Sequence, residues 1–170
     1  MYGKLHCYIG DGKGKTTAAV GLAVRAHMAG LKVCVYQFLK DGLSAELKGL
    51  KELGIEVKNA PMQGFYMELD ADDKAATCTE SAELCATVAE KAEDCDLLVL
   101  DEFLWAVTME ILPEDLVLCV LDACKDKCEL VLTGACAPDW ILERADYLTE
   151  MNKLRHPFDL EVPPRAGIEF

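Results

Sequence analysis

The sequence has few basic residues, and this shortage is the first limit on what the protein can do. Lysine and arginine together number 17, against 30 aspartate and glutamate residues, which gives a formal net charge of −13. Surfaces that bind nucleic acid are usually rich in lysine and arginine. The composition therefore indicates no nucleic acid partner, and an anionic ligand has to be held by a local group of donors.

Long apolar segments are also lacking. No run in the 170 residues approaches the length of about 20 residues that a membrane-spanning helix needs. Residues 1–6 lead directly into an apolar strand and do not resemble a cleavable leader. We therefore expect a cytoplasmic protein with no membrane association, and at this length we expect residues 1–170 to form a single domain.

Histidine is scarce, with three residues, whereas cysteine is abundant, with nine. Most of the cysteines lie in apolar strand or helix patterns and are interpreted as small core residues. A metal site around Cys119, Cys124 and Cys128 is conceivable, but structural zinc sites usually have tighter paired spacings. Disulfides are not expected in a reducing compartment.

One glycine-rich segment contains most of the chemistry that the sequence offers. It lies between an apolar strand and an alanine-rich helix, and it comprises Gly10, Asp11, Gly12, Lys13, Gly14, Lys15, Thr16 and Thr17. Such a turn exposes backbone N–H groups, the helix directs the positive end of its dipole at the same point, and Lys15 adds a cation. Thr16 offers a hydroxyl to Mg²⁺. The segment predicts a phosphate-binding loop for an ATP-like nucleotide.

The loop departs from the usual pattern in its length. The usual pattern places its first glycine where this chain has Ile9, so a loop that starts at Gly10 is one residue shorter. A shorter loop can still surround a phosphate, but it indicates a subfamily in which the nucleotide lies differently.

Polar side chains follow two further apolar strands. Asp101 and Glu102 come after the apolar run at 97–100, and Gln37 and Lys40 come at the end of the strand at 32–38. Ligands bind at the carboxyl ends of parallel strands, and carboxylates placed there can hold Mg²⁺ directly or through water. We predict a metal site formed by Asp101 and Glu102 with the hydroxyl of the loop. Gln37 and Lys40 are candidate site residues, with a simple polar strand exit as an equal alternative.

The order of elements predicts an α/β fold of the P-loop NTPase (RecA-like) type, with a mostly parallel sheet flanked by helices on both faces. Strands are predicted at 5–9, 32–38, 55–58, 96–102, 129–133 and 147–150, and helices at 15–29, 44–53, 80–94, 113–126 and 138–144. Residues 59–77 are predicted as a long apolar loop, which either forms a lid or packs on the sheet. The tail, 156–170, is predicted to be an extended arm. A GTPase is disfavoured, because Arg155 stands where a guanine-reading motif needs a carboxylate acceptor.

These segments together resemble the ATP:corrinoid adenosyltransferases of the cobalamin pathway, over nearly the whole chain. The residues that carry the resemblance are Gly10–Ala19 with Gly21, Ala23, Arg25 and Ala26, Gln37–Lys40, Gly64-Phe65, Leu100–Glu102, Thr133-Gly134, Ala145-Asp146 with Glu150, His156–Asp159 and Gly167–Phe170. The resemblance implies transfer of the 5′-deoxyadenosyl group of ATP to the Co(I) of a reduced corrinoid such as cobalamin, with release of triphosphate. It implies catalytic roles for Lys15, Thr16 and Glu102, with Mg²⁺ on Thr16 and Glu102, and a nucleotide reversed relative to ordinary P-loop enzymes.

The resemblance also extends to the corrinoid and to partners. It implies that Phe65 presses on the lower face of the corrinoid, with Tyr66 able to share that task and Met67 standing where some members have Trp. Ala135 stands where relatives tend to have Arg. A homodimer and a flavoprotein reductant are further implications.

Two other classes use the same loop and remain open from the residues alone. An ATPase or small-molecule kinase would have Glu102 orient a water or hydroxyl. A non-catalytic, nucleotide-dependent regulatory binding protein would let residues 59–77 move.

Overall fold

The computed structural model describes residues 3–62, 64 and 66–169, and these form a six-stranded, fully parallel sheet. The strands are β1 (Leu5–Ile9), β2 (Val33–Lys40), β3 (Glu56–Pro61), β4 (Leu97–Asp101), β5 (Glu129–Thr133) and β6 (Tyr147–Glu150). The helices are α1 (Lys15–Met28), α2 (Ala45–Glu52), α3 (Ala71–Lys91), α4 (Phe103–Thr108), α5 (Glu114–Cys124) and α6 (Asp139–Leu142). Short 3₁₀ turns lie at Tyr66–Glu68 and Pro157–Leu160.

Both faces of the sheet are covered by helices, and β4 shows this most clearly. Its residues alternate between the two apolar clusters of the core, with Leu97 and Val99 packed on the α1 side and Leu98 and Leu100 on the side of α3 and α5. A strand buried on both faces has no polar face to alternate with, which is why the sequence of β4 is continuously apolar. The predicted α/β fold, with a parallel sheet flanked by helices on both faces, is confirmed.

The strand order determines which loops meet. It runs β3-β2-β4-β5-β1-β6, so β5 separates the strand before the glycine-rich loop from the strand that ends at Asp101. Because the strands are parallel, the carboxyl ends of β1, β5, β4 and β2 lie side by side at one edge of the sheet. The functional candidates of the sequence come from the loops at that edge.

The prediction of a long loop over residues 59–77 is wrong for most of that range. β3 continues to Pro61, and α3 begins at Ala71 rather than at 80. The helix starts early because the Asp70 carboxylate accepts the N–H of Asp73 at 2.9 Å, which caps the first turn, and acidic side chains in that turn favour the helix dipole. Its first turns are largely polar, so apolar periodicity did not indicate them.

Two other elements differ from expectation. The buried helix α4 follows β4 directly and was not predicted, since its apolar run has no polar face. The tail contains the 3₁₀ turn at Pro157–Leu160 instead of being extended throughout. Within the described part of the chain, no helix is long and apolar enough to cross a bilayer.

Candidate functional site

The glycine-rich loop is pressed against the segments that follow β5 and β6. The N–H of Gly10 donates to Ala135 O at 2.9 Å, and the N–H of Gly12 donates to Met151 O at 2.7 Å. A Cβ added to either glycine would lie within 2.5 Å of the Met151 carbonyl oxygen. Gly10 and Gly14 also have φ of 106° and 120°, in the region that favours glycine. The glycines are therefore needed for both the conformation and the close approach.

Lys15 holds this loop through two of its carbonyl oxygens. Its Nζ donates to the carbonyl oxygens of Gly10, at 2.6 Å, and Gly12, at 2.9 Å. α1 begins at Lys15, and its first turn contains no acidic residue. The positive end of the helix dipole is therefore not neutralised by a first-turn carboxylate, and the ammonium lies next to it, as a phosphate site requires.

Asp101 is the centre of the site and accepts four hydrogen bonds. Its Oδ1 accepts from the hydroxyls of Thr16 and Thr133, each at 2.8 Å. Its Oδ2 accepts from Lys40 Nζ at 2.8 Å and from Gln37 Nε2 at 3.0 Å. The residue is 1% exposed, and two of its donors, Gln37 and Thr133, are buried as well, whereas Thr16 and Lys40 are partly buried. Asp101 thereby joins the loop to the ends of β2 and β5.

The buried carboxylate of Asp101 is kept ionised by its partners. Burial alone would raise its pKa, but the charge of Lys40 and the hydrogen bonds from Lys40, Gln37 and Thr133 outweigh burial and lower the pKa. Burial likewise would lower the pKa of Lys40, and Asp101 outweighs it and raises that pKa. The two residues form an ion pair at neutral pH.

Glu102 has a different environment from its neighbour. It adopts φ 60°, and its N–H donates to Thr133 Oγ1 at 2.9 Å, while its carboxylate accepts no hydrogen bond from any described residue. Burial, and then the charge of Asp101, raises the pKa of Glu102, against the opposing charges of Lys40 and Lys15. This carboxylate is therefore available to a cation.

A cleft of about 450 Å³ opens beside the loop. It is lined by Gly12, Lys13, Gly14, Lys15, Thr16, Thr17, Val20, Lys40, Ser44, Ala45, Glu46, Glu102, Gly167, Ile168 and Glu169. A cavity of about 480 Å³ lies at the opposite edge of the sheet, near Lys4 and Asp146. We assign the site to the smaller cleft, because it contains the helix start, the glycine-rich backbone and the partly buried ammonium groups of Lys15 and Lys40.

The tail forms one wall of this cleft, which the sequence did not indicate. Lys13 Nζ donates to Ile168 O and lies 3.4 Å from Glu169 Oε1. Glu169 is held in turn by Arg165, whose backbone N–H, Nε and Nη2 all donate to its carboxylate. Hydrogen bonds from Arg165 lower the pKa of Glu169 to about 2. Thr133 is a further residue of the site that was not predicted, although it ends a predicted strand at the correct edge.

Some predicted site residues lie outside the cleft. Gln37 is buried behind Asp101, with its Oε1 accepting no hydrogen bond. Arg25 is exposed in the last turn of α1, about 15 Å along the helix from Lys15 by the helical rise. Asp11 accepts the N–H of Lys153 at 2.9 Å and so braces the loop.

The apolar segment after β3 is also separate from the cleft. Tyr66 contacts Cys78, with 3.6 Å between hydroxyl oxygen and sulfur, and Met67 is 75% exposed. Phe65 lies outside the described residues. β3 ends at the same edge of the sheet as the loop, so this segment begins beside the site.

The donor set at the site suits Mg²⁺. Mg²⁺ is usually bound by one or two carboxylates together with substrate phosphates and waters, and the free carboxylate of Glu102 and the hydroxyl of Thr16 are of this kind. Among the described residues, no group of three or more His, Cys, Asp or Glu side chains could form a metal cage. The conceivable site at Cys119, Cys124 and Cys128 is therefore not formed.

Comparison with known proteins gives a consistent family. The chain matches the model of the ATP:corrinoid adenosyltransferase BtuR/CobO/CobP family over residues 1–170. The corrinoid adenosyltransferase of Pseudomonas aeruginosa is 33% identical over 170 residues, which are 99% of this chain and 84% of that protein. That of Escherichia coli K12 is 30% identical over 164 residues, 96% of this chain and 83% of that protein. Among solved structures, AMPPCP-bound DnaA from Aquifex aeolicus is similar with a TM-score of 0.47 at 14% identity, over 97% of this chain and 48% of that one.

Proposed function

Because this chain belongs to the ATP:corrinoid adenosyltransferase family, we propose that it transfers the 5′-deoxyadenosyl group of ATP to the Co(I) of a corrinoid and releases triphosphate. The observation that carries the proposal is the match of the family model to the whole chain. The site supports it with a phosphate-binding loop and two lysines, Lys15 and Lys40, in a cleft large enough for a nucleotide. In this proposal residues 1–170 act as one adenosyltransferase domain.

The proposed reaction needs no catalytic group of the protein to activate the nucleophile. The Co(I) centre of the substrate attacks C5′ with an electron pair and forms a Co–C bond. The C5′–O bond breaks, and its electron pair leaves on the triphosphate oxygen. No proton is transferred, so no general base is needed. Asp101 fits this scheme because its four accepted hydrogen bonds make it a structural carboxylate.

The leaving triphosphate needs its charge neutralised, and this is the task we propose for the cleft. Lys15 exchanges the carbonyls of Gly10 and Gly12 for phosphate oxygens, and the loop N–H groups donate alongside it. Donors that are already fixed in place stabilise charge as it develops, at little cost in reorganisation. Gly12–Thr17 and Lys40, all of which line the cleft, are proposed nucleotide contacts.

Mg²⁺ is proposed as the cofactor, held by Thr16 and Glu102, with Asp101 orienting Thr16. Its support is the free carboxylate of Glu102 beside the hydroxyl of Thr16. When bound, it supplies further charge neutralisation on the triphosphate.

The corrinoid is proposed to contact the segment of Phe65, Tyr66 and Met67. The exposed thioether of Met67 and the position of this segment after β3 support that assignment. A flavoprotein is proposed as the reductant on the family resemblance alone. A cytoplasmic location is proposed because the nine cysteines are all free thiols, as expected in a reducing compartment.

A homodimer is proposed as the functional unit. Among the described residues, seven of the eleven exposed large apolar side chains lie between 147 and 168, on the edge strand β6 and the tail: Tyr147, Leu148, Leu154, Phe158, Leu160, Val162 and Ile168. Clustered exposed apolar residues are typical of association surfaces. Light scattering should give twice the chain mass, and Phe158→Ser with Leu160→Ser should lower it to the monomer.

Product analysis tests the proposed reaction directly. ATP, Mg²⁺ and chemically reduced cobalamin should give adenosylcobalamin and triphosphate in equal amounts, measured by visible spectroscopy and phosphorus NMR. An ATPase or kinase breaks a P–O bond at the γ-phosphate and would give ADP instead. A regulatory binding protein would give neither product.

A further inference from the structure

The end of β2 is bent so that Lys40 points into the site. The pairing between β2 and β3 shifts register between Gln37 and Lys40, and Leu39, buried within this irregularity, has φ 54°. A non-glycine residue with positive φ is strained, and bulges often redirect a side chain beside a functional site. The strained backbone at Leu39 therefore directs the next side chain, Lys40, so that its ammonium lies in the site.

That ammonium contacts one proposed ligand of the metal, Thr16, and the carboxylate of Asp101, which orients Thr16. Lys40 Nζ is 2.8 Å from Asp101 Oδ2 and 3.4 Å from Thr16 Oγ1. Its side chain is 26% exposed and that of Asp101 is 2% exposed, so the pair is shielded from water on most sides. A Mg²⁺ ion held by Thr16 would share this oxygen with the ammonium, and the two positive charges would repel each other.

We propose that Lys40 occupies the metal position in the nucleotide-free protein and leaves it for the triphosphate when Mg²⁺ arrives with ATP. The inference rests on the proposed function in its use of Mg²⁺ and ATP. Lys40 neutralises Asp101 until the metal does so, which prevents free Mg²⁺ from binding tightly without nucleotide. The freed ammonium lies in the lining of the cleft, where phosphate oxygens are the natural acceptors.

Mn²⁺ binding to the nucleotide-free protein, measured by electron paramagnetic resonance, tests this inference without turnover. Lys40→Gln should bind Mn²⁺ at least about tenfold more tightly than wild type, because a charge-assisted contact no longer has to be broken. Lys40→Arg keeps the charge and should stay weak. Lys13→Gln is the matched control, since it removes the same charge from the same cleft without touching Asp101, and it should change Mn²⁺ affinity far less.

The opposite effect is expected when the nucleotide is present. With β,γ-methylene ATP, Lys40→Gln should bind the metal–nucleotide complex about tenfold more weakly than wild type, because a phosphate contact is lost. Equal Mn²⁺ affinities of Lys40→Gln and Lys13→Gln would overturn the inference alone. If Mn²⁺ bound none of the proteins, with or without nucleotide, the metal site of the proposed function would fail as well.

Nitrogen NMR of the lysine side chains in wild type covers the case in which Lys40→Gln does not fold. The Nζ resonance of Lys40, assigned by its loss in Lys40→Arg, should shift when Mg²⁺ and β,γ-methylene ATP are added together. A resonance that stays unchanged on that addition would overturn the inference.

Discussion

Thr133 Oγ1 donates to Asp101 Oδ1 at 2.8 Å and at the same time accepts the N–H of Glu102 at 2.9 Å. One hydroxyl at the end of β5 thus fixes both carboxylate residues at the end of β4. β5 lies between β4 and the strand that leads into the glycine-rich loop. The hydroxyl therefore ties the end of β4 to β5, while Thr16 ties Asp101 to the loop.

Thr133→Val should destabilise the protein by about 1–3 kcal/mol, because valine keeps the shape of this buried side chain but leaves the N–H of Glu102 without its acceptor and the carboxylate of Asp101 without one donor. Urea unfolding followed by circular dichroism measures this. Thr149→Val, on the exposed strand β6, is the matched control and should stay within about 0.5 kcal/mol of wild type. Equal losses of unfolding free energy in the two variants would contradict the role of Thr133 in fixing the two carboxylate residues.

Lys15→Ala should lower kcat/KM for ATP at least about tenfold, since a charge-assisted phosphate contact contributes roughly 1.5–3 kcal/mol. Steady-state kinetics of adenosylcobalamin formation provide the measurement. Lys48→Ala removes an exposed lysine of α2 and should leave the rate unchanged. Wild-type turnover in a folded Lys15→Ala protein would contradict the placement of the triphosphate.

Glu102→Gln should abolish most activity while raising thermal stability at neutral pH. Burial raises the pKa of Glu102, so its ionised form is unfavourable in the folded state. The stability gain should be full above the folded-state pKa, shrink as pH falls, and vanish below the ordinary value of 4.5. A gain of about 1 kcal/mol would raise Tm by about 2–4 °C at this chain length.

Calorimetry of Glu102→Gln and wild type over a range of pH gives both the size and the sign of this effect. Glu143→Gln, an exposed glutamate just after α6, is the control and should show no such pH-dependent gain. A Tm difference that does not depend on pH would contradict the assigned cause.

Phe65→Ala should weaken adenosylation from a Co(II) corrinoid far more than it weakens ATP binding, because the proposed contact of Phe65 is with the corrinoid. Visible spectra of the bound Co(II) corrinoid should show loss of the axial ligand in wild type and its retention in the variant. Met28→Ala, at an exposed position on α1, is the control. Identical spectra for wild type and Phe65→Ala would exclude the contact.

Much of the site could be predicted because its residues are adjacent in sequence to strong patterns. The loop at 10–17 and the pair Asp101-Glu102 each follow a continuous apolar strand, and parallel strands bring such endings to one edge. Lys40 was a weaker candidate. Its orientation depends on the strained Leu39, and no local pattern indicates a positive φ at a leucine.

The parts that could not be predicted depend on distant contacts. Glu169 reaches the cleft through Arg165 and Lys13, a pairing across more than 150 residues that leaves no local signal. Helix α4 is short, mostly buried and apolar except at Thr108, so its periodicity does not indicate a helix. α3 starts early because Asp70 caps its first turn. The first turns themselves are polar and weakly periodic, so the sequence pattern does not indicate them.

The sheet order also determines when the site can form as the chain is synthesised. β1 pairs only with β5 and β6 in the described sheet, with Leu5 opposite Leu130 and His6 opposite Tyr147. The strand that carries the phosphate-binding loop therefore stays without a partner until the ribosome has released β5, and it gains its second partner only with β6, while β2, β3 and β4 can already associate. Contacts this distant in sequence form slowly, and an unpaired apolar strand is prone to aggregate in the interval. The nascent protein should thus acquire its nucleotide site last, and nucleotide should not stabilise chains that end before β6.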